Sequence, residues 1–179
     1  DLVRSRGLGD VYKRQEIIQK MREMKPEVIA VDAPLSLPPG RESIEKRTGA
    51  HLRECDRELM KRGIKFFPIT LGPMRKLTQR GIRLKKALEA EGFRVIETYP
   101  GGAQDVLGLP RKRIGLKNLM EGLKKLGIDG LKENISDHEL DAVTSAFVGK
   151  LFLEGKSETF GDPKEGIVMP KSMRSLHLK

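Results

Sequence analysis

VIAVDAP at residues 28–34 and RVIETYP at residues 94–100 each carry an apolar run that meets an acid and, two or three residues later, a proline. Val28 to Val31 and Phe93 to Ile96, interrupted only by Arg94, have the near-continuous hydrophobicity of strands buried on both faces of a parallel sheet. Proline cannot donate to a strand ladder, so Pro34 and Pro100 mark where the two strands leave the sheet. Asp32 and Glu97 therefore lie near the carboxyl ends of their strands, where open α/β sheets place ligands.

A third acidic stretch is SDHELDAVTSAF, residues 136–147. Ser136 followed three residues later by Glu139 is a capping-box pattern and starts a helix there. Asp137 and Asp141, spaced i, i+4, share one face of it, while Leu140, Val143, Phe147 and Leu151 form an adjoining apolar stripe for packing on the sheet. Ala142, Ala146 and Gly149 are small enough to allow close backbone approach. Two like charges beside a packed stripe repel, so solvent or a cation must offset them. The four carboxylates Asp32, Glu97, Asp137 and Asp141 thus form a candidate metal site.

Outside these stretches the pattern alternates helices with strands. Ile17, Ile18, Met21 and Met24 have helical spacing before Pro26, and a Pro/Gly-rich loop over 34–40 leads to a polar helix over about 50–62. Phe66, Phe67 and Ile69 suggest a short extended segment. Gly72 and Pro73 open a helix with Leu77, Leu84 and Leu88 on its buried side, weakened at Gly81 and closed by Gly92. Leu116 to Leu126 make another helix, closed by Gly127. The stretches 159–160 and 167–169 read as short strands. This order predicts an α/β fold. The first fifteen residues, DLVRSRGLGDVYKRQ, show neither strand alternation nor a helical stripe and resemble a translated adapter or linker scar. They are set aside, leaving a single domain over 16–171 and a tail over 172–179.

The 179 residues suit one domain with a sizeable core. The net charge of +10 falls only to +8 without the first fifteen residues, whose four cations face two acids. Such a balance favours a polyanionic partner, although the charged fraction of 34% also resembles the usage of thermophile proteins. One cysteine, Cys55, excludes an internal disulfide and a cysteine zinc cluster and fits a reducing compartment. No apolar stretch is long enough to span a bilayer and no signal-peptide core is present; the expectation is a cytoplasmic protein.

VIAVDAPLSLP, RECDREL at 53–59, IETYP and DHELDAVTSAF, in that order, resemble a prokaryotic domain-of-unknown-function family predicted to be nucleases of ribonuclease H-like fold. The similarity runs over about residues 16–171. It implies a mixed central sheet flanked by helices, with acids on two strands and on the last long helix collecting divalent metal. Asp32, Glu97 and the pair Asp137 and Asp141 match those acids. The resemblance also leads to the expectation of a further aspartate on an N-terminal strand. Neither Asp1 nor Asp10 lies in such a strand, so the opening strand is expected to be missing, leaving the Val28–Asp32 strand with an open edge.

On this reading Asp32, Glu97 and Asp141 hold Mg2+ or Mn2+, and Asp137 is a further ligand or a general base. Both ions take oxygen ligands and support phosphodiester hydrolysis. His138 is a candidate proton carrier or a plain surface histidine. Arg53, Asp56 and Arg57 fall within one helical turn; Arg53 and Arg57 are candidate phosphate ligands, or members of exposed ion pairs of little consequence. Arg111, Lys112 and Arg113, with Lys117, form a basic cluster suited to a phosphate backbone or simply a solvated loop. Gly72, Pro73 and Arg75 form a helix start that could hold an anion or only begin the helix. Asp32 alone could be a turn former and Asp137 a helix-dipole partner. The function expected is a nuclease acting on DNA or RNA. The alternatives are a non-catalytic nucleic-acid binder and a small-molecule phosphohydrolase, although no phosphate-cradling glycine motif follows a strand. Without tryptophan and with 4% aromatics, an extended base-stacking platform is not expected.

Overall fold

The computed structural model describes residues 2–46 and 49–172, with side chains from Tyr12 onward. The expected tail beyond Ser172 lies outside the described residues. The chain runs α1 (Leu2–Met24), β1 (Ile29–Val31), α2 (Glu54–Lys61), α3 (Gly72–Ala90), β2 (Val95–Thr98), α4 (Pro100–Val106), α5 (Leu116–Lys125), α6 (Asp137–Leu153), β3 (Ser157–Phe160) and β4 (Ile167–Pro170). A 3-10 turn at Lys112–Ile114 precedes α5.

The four strands form one mixed sheet in the order β1-β2-β4-β3. β1 pairs parallel with β2 and β2 with β4, whereas β3 runs antiparallel to β4. The sheet is thus a mixed α/β layer flanked by helices. β1 ends the strand order, so its far edge has no strand partner among the described residues.

Alternation of side chains across the sheet divides the core into layers. Ile96 and Val168 meet Ala103 of α4 and Val148 of α6 on one face. On the other, Ile29 packs with Ile18 of α1 and Leu88 of α3, and Ile167 and Met169 pack with Cys55 and Leu59 of α2. A satellite cluster joins Leu119 and Leu123 of α5 to Leu140 of α6.

Three local features differ from the sequence pattern. First, α1 begins at Leu2 rather than near Glu16, so the stretch set aside continues the helix that ends before Pro26. Second, Pro100 does end β2, but it also occupies the first turn of α4, a position where its missing N–H costs nothing; the expected irregular exit is a helix. Third, the buried stripe of α6 runs through Leu140, Thr144, Val148 and Leu151, with Phe147 only half-buried. The short extended segment expected at Phe66, Phe67 and Ile69 is not a strand: 64–68 has no regular secondary structure and Ile69 lies in a turn, closed by the Leu71 N–H to the Pro68 carbonyl at 3.0 Å. The capping box at Ser136 is formed as expected: Glu139 N–H donates to Ser136 Oγ at 3.2 Å, and Ser136 N–H donates to Glu139 Oε2 at 2.8 Å.

Gly81 has a reason the helical pattern did not supply. A Cβ there would stand 2.6 Å from the carbonyl oxygen of Pro34 and 3.1 Å from the Ala33 side chain. The glycine lets α3 lie against the loop that leaves β1 immediately after Asp32. Among the described residues no helix is long and apolar enough to cross a membrane.

Candidate acidic site

Val31 pairs in register with Glu97, so Asp32, one residue on, and Glu97 lie at the same carboxyl-terminal end of adjacent parallel strands. Alternation then separates their side chains. Glu97 follows Val95 onto the face covered by α2, and Asp32 turns toward α6. The first turns of α6 bring Asp141 to the same end of the sheet.

Glu97 is 5% exposed and Arg53, which caps the start of α2, is 4% exposed. Arg53 Nη1 donates to Glu97 Oε2 at 2.7 Å, and the Leu35 backbone N–H donates to the same oxygen at 2.6 Å. The remaining guanidinium donors reach Asp56: Nε to Oδ2 at 3.2 Å and Nη2 to Oδ1 at 2.9 Å. Asp56 also accepts the Arg53 backbone N–H at 2.9 Å, which anchors the first turn of α2. One cation thus serves two buried carboxylates. Burial raises the Glu97 pKa above its ordinary value, and Arg53 with the Leu35 amide only partly offsets that rise. Desolvation opposes the Arg53 charge, but Glu97 and Asp56 outweigh it and the guanidinium pKa is raised.

The second half of the site is built on α6. Lys112 Nζ donates to Asp141 Oδ2 at 2.7 Å and to Asp137 Oδ2 at 3.0 Å. Gln104, buried on α4, donates from Nε2 to Asp141 Oδ1 and to Thr144 Oγ1, both at 3.3 Å. The bond to Asp141 raises the Lys112 pKa, and the bond to Lys112 holds Asp137 below the usual carboxylate range. The repulsion expected between Asp137 and Asp141 is therefore offset by the chain's own ammonium group.

Asp32 stands between the two halves. Solvent reaches the residue, yet its carboxyl is crowded: desolvation, then the negative charge of Asp141 and, more weakly, of Glu97, push its pKa up to about 6 against the pull of Lys112. Asp32 and Glu97 both line a cavity of about 360 Å3, together with Arg53, Asp56 and Lys112.

Other expected residues fall elsewhere. Arg57 is exposed and does not line that cavity. Arg53 is at the site, but its donors are directed at carboxylates and at Ser36 Oγ, 3.3 Å away. The Arg53–Asp56 pair has the expected i, i+3 spacing but is buried rather than exposed. His138 has a side chain 90% exposed, as a surface histidine does. Burial pushes the Cys55 thiol up to about 12, the behaviour of an inert core cysteine. Arg75 donates to the Glu45 carbonyl at 2.5 Å at the start of α3. Arg111 pairs with Asp105, so the basic cluster is partly turned inward. Lys112 and Gln104 are the site residues the sequence pattern did not assign: the motif spacing held no sign of contacts 25–37 residues away.

The donor chemistry fits a hard divalent cation, since every candidate ligand offers oxygen. The crowding at Asp32 and the ammonium bridging Asp137 and Asp141 mark where positive charge is favoured. In this arrangement no three acid, His or Cys side chains among the described residues are gathered as a ligand set. Lys112 must move away for Asp137 and Asp141 to face a metal together.

Neither a curated protein nor a solved structure matches the chain. Residues 3–166 match the sequence model of the family described as Protein of unknown function (DUF429), and the chain belongs to that family.

Proposed function

We propose that the chain is a divalent-metal-dependent nuclease of ribonuclease H-like architecture, hydrolysing phosphodiester bonds of DNA or RNA. The observation that carries this reading is the position of Asp32: a carboxyl at the carboxyl end of β1, electrostatically coupled to Asp141 of α6 and Glu97 of β2. Asp32 and Glu97, from two adjacent strand ends, line one cavity, and Asp141 of the covering helix lies close enough to Asp32 to raise its pKa. The mixed sheet supports the ribonuclease H-like assignment, and the net charge of +10 supports a polyanionic substrate.

Asp32 and Asp141 are the metal ligands of this reading, joined by Glu97 through Oε1, the oxygen that takes neither Arg53 nor the Leu35 amide. Asp137 is a further ligand or holds the proton of the attacking water. The chemistry that bound magnesium or manganese supplies at such a site is an activated water and charge stabilisation on the leaving oxygen. Arg53 keeps Glu97 in place, a positioning role in place of the phosphate contact expected from the motif.

A second reading, nucleic-acid binding without cleavage, is favoured by one observation: Arg53 and Lys112 already neutralise much of the acidic cluster. Calorimetric titration with Mn2+ and Mg2+, on the unsubstituted chain and on Asp32→Asn/Asp141→Asn, separates the two. Binding lost in the double variant, together with carboxylate-dependent cleavage, supports the nuclease. Salt-dependent nucleic-acid binding that persists in the double variant without metal uptake overturns it.

A further inference from the structure

The cavity that holds Asp32 and Glu97 also has an apolar lining, Phe66, Phe67, Met74 and Leu77, from the segment before α3 and the first turns of α3. Phe67 is 74% exposed and Leu77 38%, so this lining is open to an incoming group. A second cleft of about 250 Å3 shares Asp32, Ala33 and Leu77 with it and carries Arg80 and Arg83 of α3, with Lys13 and Arg14 added from the stretch set aside in the sequence. A cationic cleft and an apolar cavity therefore meet at one carboxylate.

A phosphate has no use for the apolar lining, and an apolar ligand has no use for the cationic side of the cleft. A nucleotide strand uses both. Its phosphates match the charge of the cleft, and a single base is a flat apolar group of the size that a cavity of about 360 Å3 accepts, which lies within the roughly 300–1,000 Å3 usual for ligand pockets. In a duplex the bases are stacked and paired, and reaching a concave wall requires unstacking one of them. The chain has no tryptophan and 4% aromatics, so the surface suits one base rather than a series.

Building on the nuclease reading, we propose that the substrate is single-stranded nucleic acid, with its backbone along the cleft beside Arg83 and past Asp32, and one unstacked base against Phe67, Met74 and Leu77. Phe67 is the residue that selects single strands. The cations supply sequence-independent affinity that falls with salt.

The test measures binding of the full chain, without added divalent ion, to a short single strand carrying 2-aminopurine, to its duplex, and to a strand of equal charge made of abasic sites. The expected result is clear preference for the base-bearing single strand and rising 2-aminopurine fluorescence on binding. Phe67→Ala, at an exposed position that leaves the core intact, is expected to weaken single-strand binding roughly five- to hundredfold, the range for loss of one stacked base, and to leave duplex binding unchanged. Equal affinity for the duplex or the abasic strand, or no effect of Phe67→Ala, overturns the proposal. Mn2+ titration of the same samples keeps the two readings apart. Metal uptake without single-strand preference removes only the base cavity, whereas single-strand preference without metal uptake removes only the hydrolytic reading.

Discussion

Lys112 Nζ lies 2.7 Å from Asp141 Oδ2, and the same ammonium reaches Asp137. The chain thereby places its own cation between two acids of the candidate metal site. An ammonium group is a compact, mobile charge on a flexible stem, so it can leave when a stronger cation arrives.

Replacing Lys112 by Gln is expected to act in opposite directions on the two states. The Lys112 side chain is 39% exposed, so after screening its pair with Asp141 contributes at most about 1 kcal/mol to the metal-free protein. Thermal melts without metal should show a drop of a few degrees or less. Apparent Mn2+ affinity should rise severalfold, because the competing ammonium is gone. Unchanged or weaker Mn2+ binding in this variant would mean that Lys112 does not hold the cation's place.

Asp32 makes a pH prediction whose sign follows from its raised pKa. The folded chain holds the Asp32 proton up to about pH 6, whereas an unfolded aspartate releases it near its ordinary value of about 3.9. The contribution of Asp32 to stability is therefore fully present below about pH 3.9 and is lost as pH rises through about 6. Asp32→Asn should raise the melting temperature at pH 8 without metal and have little effect at pH 4. Mn2+ uptake by the unsubstituted chain should strengthen across the same interval as the carboxyl ionises. A variant less stable than the parent at pH 8 would show that Asp32 is not crowded by like charge.

Much of this site was legible in the sequence, and the reason is local. A charged residue at the end of an apolar run marks a strand end, and an i, i+4 acid pair behind a capping box marks a helix face. What escaped is set by contacts between distant segments. Arg53 and Asp56 have the spacing of an ordinary surface ion pair, and only the packing of α2 over Glu97 makes them buried. Lys112 reads as one of three consecutive cations; the turn before α5 aims it inward. α4 was hidden because Pro100 can end a strand and begin a helix at once.

Arg53 is expected to be the most sensitive position for folding. Removing it leaves Glu97 and Asp56 buried without their cation, and breaking a buried pair in this way costs about 3–5 kcal/mol. Urea denaturation of Arg53→Ala should show a loss of that order. Arg53→Lys should restore little, since an ammonium cannot reproduce the fork that reaches both carboxylates. A loss below about 1 kcal/mol, the level of an exposed pair, would show that the cluster is solvated rather than dry.

Gly81 links the fold to the site. Helix propensity alone says that Gly81→Ala should stabilise an interior position of α3 by up to about 1 kcal/mol. The added methyl, however, would sit 2.6 Å from the Pro34 carbonyl oxygen, which is backbone and cannot swing aside. Overpacking of this kind typically costs about 1–3 kcal/mol, so the net effect is expected to be destabilising. The loop after β1 must shift to relieve the contact, and Asp32, two residues before Pro34, must shift with it. Gly81→Ala should therefore also weaken Mn2+ binding, whereas Gly72→Ala, at the start of the same helix with open space around its Cβ position, should change neither property. Equal stability and equal Mn2+ affinity in the two glycine variants would show that close contact between α3 and the Pro34 loop does not position Asp32.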